Sequence, residues 1–514
     1  MSILIEIVDT LKSGGLTDEQ IVREFHDDET VVKNYVKGLL ERKPQEDDTV
    51  SEIVETEQTS DKEKHYGIKT LVKNKLSRLL FDLPATKGEF EAPRNAQHRA
   101  ITNIAKGQIL ISYSAANAGI EYLEQGVKIA EEYQMYNLCL YASRPLEQFY
   151  VNRQITDKST LLKDKIEFYE QQLNIEKSVW ALYEEFFVIA NTTINYTADI
   201  LKKVETVVKE MTKISQPVCS FTTYTLVLKA QLYYQQMKKD FSQALLVLNT
   251  MEQFYTAHKK LTTAILWSSM LIQKSYCLIE LRHYHEATEY SERALQLVRE
   301  NTVQRSMHLK QDLLLALRKQ DITHAERVVK ELEQYIARNR VPALWREQYN
   351  LMLAYYVFLV KSKTPAEKTK SFKIPLDVNE FVGASPIINR DKQGMNIAKV
   401  IVQVLLMLAE GNIDGANSKA ESLRQYRQIY LKDGNYPRSS ALLKLLHLLI
   451  EKEYDIQEVE RKGAKYLADL VPNEKNQFGA MEGIEPIAYD DVWNIVTTII
   501  SVLVSKKILQ KRVK

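Results

Sequence analysis

The amino-acid sequence predicts an all-α protein. Glycine (16) and proline (12) are scarce in a chain of 514 residues, so tight turns are few, which argues against an all-β chain. Leucine, lysine, glutamate, glutamine and alanine are abundant, and these residues favour helices. One helical stripe also recurs along the chain. Together these observations predict a right-handed α-solenoid of helix-turn-helix repeats, preceded by a small three-helix unit.

The stripe is clearest in LRHYHEATEYSERALQL, residues 281–297. Tyr284, Ala287, Ser291 and Ala294 follow one another at steps of three, four and three, which places them on one face of a helix. The pattern is an aromatic residue or isoleucine, alanine three residues on, and apolar or small residues seven and ten on. Its other instances are Phe241, Ala244, Leu248 and Met251; Ile322, Ala325, Val329 and Leu332; Ile413, Ala416, Ala420 and Leu423; and Ile456, Val459, Gly463 and Tyr466, with valine in the alanine slot.

The alanine slots are spaced by 43, 38, 91 and 43 residues. The long gap holds a proline-rich insertion at about 361–396 and a degenerate unit around residues 346–360. A small residue in the slot lets the second helix of a pair approach the first, and neighbouring pairs must stack to bury their apolar faces. The sequence therefore predicts stacked helix pairs from 222 to 470, within a repeat domain that spans residues 65–514.

The second helix of this unit resembles that of the tetratricopeptide repeat, in which an aromatic residue precedes alanines three and ten residues on, as Tyr284 precedes Ala287 and Ala294. Ser275 and Leu278 match the small and large slots of that family's first helix. The units here exceed the family's length of about 34 residues, and its tryptophan, glycine and proline positions are mostly absent. The chain is also similar in texture to long helical-repeat proteins of Bacteroidetes bacteria.

The tetratricopeptide resemblance implies a concave groove that binds a protein or peptide. The groove-lining positions of that family fall on Lys229, Tyr233, Gln236, Tyr276, Glu280, Lys310 and Arg318. We therefore expect a non-enzymatic scaffold with a protein or peptide ligand. The alternative for these positions is that some of them face the next repeat and bind nothing.

Residues 1–43 predict the small three-helix unit, and residues 44–64 predict an acidic flexible linker. Thr17, with Gln20 three residues later, forms a capping-box pattern at the start of the second helix. The stretch from Gly15 to Lys43 resembles the helix-turn-helix of LuxR-type transcription factors. The matching residues are Gly15, Leu16, Thr17, Ile21, Val32, Lys33, Asn34 and Val36. The resemblance implies that Lys33, Asn34 and Lys37 face a DNA major groove.

The charge of this unit argues against DNA binding. Residues 1–43 carry six basic and nine acidic side chains, and Asp27 and Asp28 occupy the turn where the LuxR family buries an aliphatic residue. A DNA-binding module is usually basic, because neutralisation of phosphates drives affinity. We favour a cap or protein-docking unit. The alternative is a transcriptional regulator, with a DNA-binding unit at residues 1–43 and a repeat domain that senses a partner.

The sequence predicts neither an enzyme nor a cofactor. It contains none of the patterns GxGxxG, GxxxxGK[ST], HExxH or GxSxG. His283 and His285 are two residues apart and point to different sides of a helix, so we expect no metal site there. Cys139, Cys219 and Cys277 lack metal-ligand spacing and predict buried thiols in a reducing compartment.

We expect a cytoplasmic protein without a membrane role. The first apolar run contains Glu6 and Asp9, which a signal peptide would exclude. The apolar run from Val492 to Val504 has 13 residues, which is too short to span a bilayer and predicts a buried helix. The lysine-rich stretches at 361–373 and 506–514 have no interleaved aromatic residues, so they predict solvated loops and ends rather than a nucleic-acid site.

Overall fold

The computed structural model describes residues 3–13, 15–26, 28, 30–41, 62–82, 92–192, 197–216, 219–300, 302–339, 341–363, 376–383, 395–419, 437–471 and 485–505. This part of the chain is all-α, with helices and no strand. The greater part of the predicted linker, most of the predicted insertion, the basic stretch at 506–514 and the predicted repeat positions Ala420 and Leu423 lie outside the described residues.

The first helices are α1 (Ile3–Ser13), α2 (Asp18–Arg23), α3 (Thr30–Glu41), α4 (Lys62–Leu79), α5 (Ala92–Ser112), α6 (Ala116–Glu132), α7 (Tyr136–Asn152), α8 (Thr156–Thr192), α9 (Ala198–Ser215), α10 (Phe221–Met237) and α11 (Phe241–Ala257). The later helices are α12 (Ala264–Glu280), α13 (Tyr284–Gln296), α14 (Val303–Arg318), α15 (Ile322–Arg338), α16 (Ala343–Ser362), α17 (Val378–Gly383), α18 (Met395–Ala409), α19 (Pro437–Glu451), α20 (Ile456–Leu470) and α21 (Tyr489–Ser505). A 3-10 turn, Leu80–Asp82, follows α4, and residues 413–419 are also helical.

The chain divides into two compact units. The first comprises residues 1–178, 215–224 and 254–266, and the second comprises residues 179–214, 225–253 and 267–514. The long helix α8 therefore contributes its first part to one unit and its remainder to the other.

The first unit begins with four helices around one core. α1, α3 and α4 contact one another, and α2 packs on α3. The buried side chains of this core are Leu4, Val8, Leu11, Ile21, Phe25, Val32, Tyr35, Val36, Leu39, Val72 and Leu76. The three predicted helices are present, but the core also requires α4, which begins at Lys62 within the predicted linker and supplies Val72 and Leu76.

The predicted capping box at the start of α2 is confirmed. The backbone N–H of Gln20 donates to Thr17 Oγ1 at 3.2 Å, and the N–H of Thr17 donates to Gln20 Oε1 at 2.8 Å. Asp28, in the following turn, forms a 2.6 Å ion pair with Lys75 of α4. An acidic residue is tolerated at this half-buried position because α4 brings a cation to it.

α5 and α6 pack at very short range through glycines. A Cβ atom added to Gly119 would lie 2.7 Å from the carbonyl oxygen of Gly107 and 2.6 Å from Ile111 Cγ1. A Cβ atom on Gly126 would lie 2.7 Å from Ile104 Cγ1. Close-packed interiors do not absorb such overlaps without shifts of backbone or side chains, so these glycines set the distance between the two helices.

One helix-ending turn recurs in both units. Its central residue has a left-handed backbone, with φ between 50° and 72° at each position. These residues are Ser114, Gln134 and Gln154 in the first unit and Lys239, Arg282, Gln320, Gly411 and Tyr454 in the second. At the first seven of these positions the next backbone N–H donates to the carbonyl five residues back, as His283 does to Leu278 at 2.8 Å. At Tyr454 the residue's own N–H makes this bond, to the carbonyl of Leu449 at 2.8 Å. This is the Schellman arrangement, which satisfies carbonyls at the end of a helix.

A buried residue, small in all but one case, follows each of these turns by five positions. It is Gly119, Cys139, Ser159, Ala244, Ala287, Ala325, Ala416 or Val459. The predicted alanine slots are therefore buried as expected. Ser275 Oγ of α12 donates to the carbonyl of Ala287 in α13 at 2.8 Å, so the paired helices do approach closely at the slot. The sequence pattern missed the first three positions because they hold glycine, cysteine and serine instead of alanine.

The core of the second unit is built around two helices that are buried on all sides. α16 is buried continuously from Leu351 to Leu359, and α18 from Ile397 to Met407 except for the half-buried Lys399. α16 contacts α14, α15 and α18, while α21 contacts α18, α19 and α20. The predicted buried helix near residue 492 is confirmed by Val492, Trp493 and Val496 of α21. Among the described helices, none has the length and apolarity needed to cross a membrane.

We predict that Gly119→Ala destabilises the chain by about 2 kcal/mol, because its Cβ atom would overlap backbone and side-chain atoms of α5. Gly67→Ala is the matched control, since no atom lies within 4 Å of a Cβ at Gly67 in α4, and alanine is the better helix former by about 1 kcal/mol. Urea unfolding followed by circular dichroism measures both variants. An unchanged or raised urea midpoint for Gly119→Ala would show that α5 and α6 can move apart at little cost.

Candidate functional site

Polar side chains connect alternate helices of the second unit. Gln236 Nε2 of α10 donates to Gln273 Oε1 of α12 at 2.8 Å. Gln311 Nε2 of α14 donates to the carbonyl of Ile272 in α12 at 2.7 Å, and Lys310 Nζ of α14 donates to Gln348 Oε1 of α16 at 2.7 Å. The helices α10, α12, α14 and α16 therefore stand side by side. We call the half-buried residues Lys229, Gln236, Gln273, Lys310, Gln311 and Gln348 the polar row.

The structure distributes the seven predicted groove residues between three settings. Lys229, Gln236 and Lys310 belong to the polar row. Tyr233 and Tyr276 pack between helices: Tyr233 stacks on Phe186 of α8 with ring centroids 6.4 Å apart, and Tyr276 meets Phe241 of α11 edge to face at 5.9 Å. These two tyrosines contact the neighbouring helices, as the alternative for these positions allowed.

The remaining two predicted residues form a buried ion pair. Glu280 and Arg318 end α12 and α14, are 8% and 4% exposed, and have Oε1 and Nη2 3.5 Å apart. Withdrawing both charges from water costs free energy that their attraction offsets only in part. The second carboxylate oxygen of Glu280, Oε2, is buried and has no hydrogen-bond partner.

Further charged residues, which the sequence did not single out, extend this pair into a cluster. Arg438 at the start of α19 donates to both oxygens of Glu485 at 2.5 and 3.2 Å and to Asp490 at 3.1 Å. Arg282, in the turn after α12, donates to both oxygens of Asp490 at 2.7 Å. The charge cluster, as we name it, comprises Lys239, Glu280, Arg282, Arg318, Arg438, Glu485, Asp490 and Asp491.

This cluster could not be predicted from local sequence patterns, because 208 residues separate Arg282 from Asp490. The only local signal was the acidic pair at residues 490 and 491. An acidic pair in the first turn of a helix ordinarily indicates a favourable interaction with the helix dipole, so it gives no hint of a distant arginine.

Burial and neighbouring charges perturb the carboxyl groups of the cluster in different directions. Burial raises the pKa of Glu280 to about 7, against the opposing effect of Arg318. Burial and the adjacent Asp490 raise the pKa of Asp491. Burial also acts to raise the pKa of Asp490, but hydrogen bonds from Arg282 and Arg438 outweigh it and the pKa is lowered. Asp490 is thus the firmly ionised carboxylate, while Glu280 gains a proton near neutral pH.

The predicted DNA-contact residues lie on α3, away from the core of the first unit. Asn34 and Lys37 are exposed, and Lys33 is half-buried. Lys33 and Lys37 line a cleft of about 740 Å³ between α2 and α3. Its other lining residues are Asp18, Glu19, Val22, Arg23, His26 and Leu40. The cleft therefore presents both signs of charge around an apolar floor.

Histidine and cysteine side chains are dispersed. Within the described ranges, no three metal-ligating side chains come together. His283 and His285 are exposed, and each lies within 3.5 Å of a glutamate on its own helix. Cys139 and Cys277 are buried, as the sequence predicts, whereas Cys219 is half-buried. Burial raises the pKa of Cys277 to about 12, so this thiol is protonated at neutral pH and a poor nucleophile.

We predict that Glu280→Gln changes the pH dependence of stability. The pKa of Glu280 is raised from 4.5 to about 7 in the folded chain, so its contribution is fully present below pH 4.5 and is lost as the pH rises to about 7. The parent chain should lose up to about 3 kcal/mol over that interval from this group. Thermal unfolding at pH 5 and pH 8 measures how much folding stability each chain loses between the two pH values. We expect Glu280→Gln to lose less stability than the parent, and Glu292→Gln, on the exposed side of α13, to lose as much as the parent. An equal loss of stability in all three chains would contradict the raised pKa of Glu280.

No protein-family model matches this chain, and no curated protein matches it. The resemblances to the tetratricopeptide and LuxR families accordingly rest on the residues quoted for them above.

Proposed function

We propose that the second unit is a tetratricopeptide-like α-solenoid that binds a protein or peptide segment along the polar row and catalyses no reaction. The observation that carries this proposal is the row itself, in which alternate helices present half-buried amide and ammonium groups side by side. The recurrent turn supports it, because equivalent turns with equivalent small residues repeat one helix pair along the chain.

The chemistry of the row suits a polypeptide backbone. Gln236, Gln273 and Gln311 each carry one carbonyl acceptor and two N–H donors, which matches the mixture of groups that an extended chain presents. These side chains bond to protein groups in the free chain. A bound peptide would replace those bonds with bonds to its own amides, an exchange that costs little because hydrogen bonds are lost and regained.

The spacing of the helices also suits an extended peptide. Packed helices lie about 8–10 Å apart, and an extended chain advances about 3.3 Å per residue. A peptide that crosses the row would therefore meet a new helix about every three residues. Amide side chains neither gain nor lose protons, and the six side chains of the row include no carboxylate, imidazole or thiol. This is the basis for proposing binding without catalysis.

We predict that Lys229→Glu with Lys310→Glu weakens partner binding at least tenfold, or about 1.4 kcal/mol, because it reverses two charges of the row. The matched control is Lys203→Glu with Lys209→Glu on α9, where the lysine side chains are 61% and 74% exposed. The full-length parent, row variant and control variant are each used to capture proteins from the native host. Quantitative mass spectrometry then compares the amounts of each protein that the three chains capture. Partners that remain bound to the row variant would place the binding surface elsewhere.

A transcriptional regulator is the second candidate, and the packing of α3 favours it. Val32, Val36 and Leu39 point into the core, which leaves Lys33, Asn34 and Lys37 on the accessible side, as a recognition helix requires. The ion pair between Asp28 and Lys75 also neutralises one of the acidic residues of this unit. In this scheme the polar row binds the regulating partner and the first unit contacts DNA.

We predict, for this second candidate, that the full chain binds random duplex DNA at low salt with an affinity that falls as salt rises. Lys33→Gln with Lys37→Gln should reduce the slope of log affinity against log salt by about two, since each phosphate contact contributes about one. Lys69→Gln with Lys73→Gln, on the exposed side of α4, removes the same charge from another surface. Fluorescence anisotropy measures the DNA affinity of both double variants across the salt range. An absence of binding in low salt would remove this candidate.

A further inference from the structure

Residues 485–491 bring three carboxyl groups, those of Glu485, Asp490 and Asp491, into the charge cluster at the C-terminal ends of α12 and α14. Glu485 and Ile487 to Tyr489 are buried, and the residues before Tyr489 are not helical. Asp490, the first residue after this stretch that is only half-buried, reaches Arg282. Arg282 follows Glu280 by two residues, so the contact lies at the C-terminal end of α12, nine positions after Gln273 of the polar row.

The contact between Arg282 and Asp490 is a short, charge-assisted pair that is made through a single guanidinium nitrogen. One guanidinium nitrogen, Nη2, lies 2.7 Å from each oxygen of Asp490. The contact is also accessible, because the side chains of Arg282 and Asp490 are 35% and 22% exposed. Arg438 and Glu485, at 3% and 2%, are sealed from solvent. The cluster thus has a buried part and an open edge, and Arg282 stands at the open edge.

We propose that Arg282 is the anchor for a carboxylate of the bound peptide, and that Asp490 occupies the anchor as an internal substitute while the protein is free. This inference rests on the proposed peptide-binding function and names the chemistry of the partner, an acidic segment. The peptide leaves the polar row towards the C-terminal end of α12, and its carboxylate replaces Asp490 on the guanidinium of Arg282.

The exchange is inexpensive because Asp490 has a second arginine. After Arg282 is released, Asp490 keeps its 3.1 Å contact with Arg438, so no carboxylate is left buried and unpaired. The buried residues Ile487, Ala488 and Tyr489 need not move. The incoming carboxylate also finds Arg318 and Lys239 among the neighbouring cations, while protonation of Glu280 near neutral pH reduces the opposing negative charge.

The alternative occupant of Arg282 is a phosphorylated or other doubly charged anionic side chain, and charge argues against it. Glu280, Glu485, Asp490 and Asp491 all belong to the same cluster, so a second negative charge on the ligand would meet four carboxyl groups. A single carboxylate adds one negative charge to the cluster, whereas a doubly charged group adds two. It also matches the planar guanidinium fork.

A selection experiment with random peptides tests this proposal. Random decapeptides, displayed once with a free carboxyl terminus and once with a free amino terminus, are selected on the full-length parent chain, on Asp490→Asn and on Arg282→Gln. We expect aspartate and glutamate to be enriched at least threefold more on Asp490→Asn than on the parent, because the internal competitor is weakened. We expect no such enrichment on Arg282→Gln. A preference confined to the display with a free carboxyl terminus would identify a terminal carboxylate as the ligand group.

Two controls separate the possible failures. Arg461→Gln, an arginine that is 74% exposed on α20, removes the same charge outside the cluster and should select the same peptides as the parent. Arg282→Lys keeps the charge without the guanidinium fork, and it replaces Arg282→Gln if that variant fails to fold. If the peptides selected on every chain contain equal proportions of aspartate and glutamate, the proposal that Arg282 is the anchor is wrong and the proposed function remains. If no peptide binds any chain, the peptide-binding function fails, and the anchor with it.

Discussion

The architecture depends on one constraint, which is that each helix must return close against the helix before it. The recurrent turn provides the reversal, and the buried residue five positions later provides the close approach. All of the turn centres except Gly411 are non-glycine residues in a left-handed backbone, although such a residue costs roughly 1 kcal/mol or more there. The slot is the stricter requirement, since seven of its eight occupants are no larger than cysteine and the other is valine. The volume of the slot residue is therefore more uniform than the residue type at the turn centre.

This constraint explains what could be predicted from the sequence. The stripe at Tyr284, Ala287 and Ala294 is local, so its helix and its buried alanines could be predicted from residue spacing alone. Gly119, Cys139 and Ser159 obey the same volume rule with other residue types, and a pattern built on alanine cannot find them. The sequence places α4 in the predicted repeat domain, which begins at residue 65. Its Val72 and Leu76 show their role only when α1 and α3 stand beside them.

The groove residues illustrate the limits of carrying positions over from a family. Gln236 and Lys310 lie on the polar row because alternate helices align as the resemblance implies. Tyr233 and Tyr276 occupy family positions too, but burial of an aromatic ring between helices stabilises the fold more than exposure of the ring to water. Their neighbours Phe186 and Phe241 offer that packing. A position carried over from the family thus lies on the polar row or packs between helices according to the side chain and the gap next to it.

The charge cluster contains one centre of the recurrent turn, Arg282, which is also the residue of the proposed binding chemistry. Glycine occupies the equivalent turn centre at Gly411, so nothing in the backbone requires a long side chain at Arg282. Arginine there carries a conformational cost, and its two short bonds to Asp490 offset it. If stability were the only role of this pair, the buried Arg438 and Glu485 would already serve it, and the exposed edge of the cluster would be unnecessary. A partly exposed arginine whose carboxylate partner has a second arginine to bind is better explained, on the proposal above, as a place where another carboxylate binds.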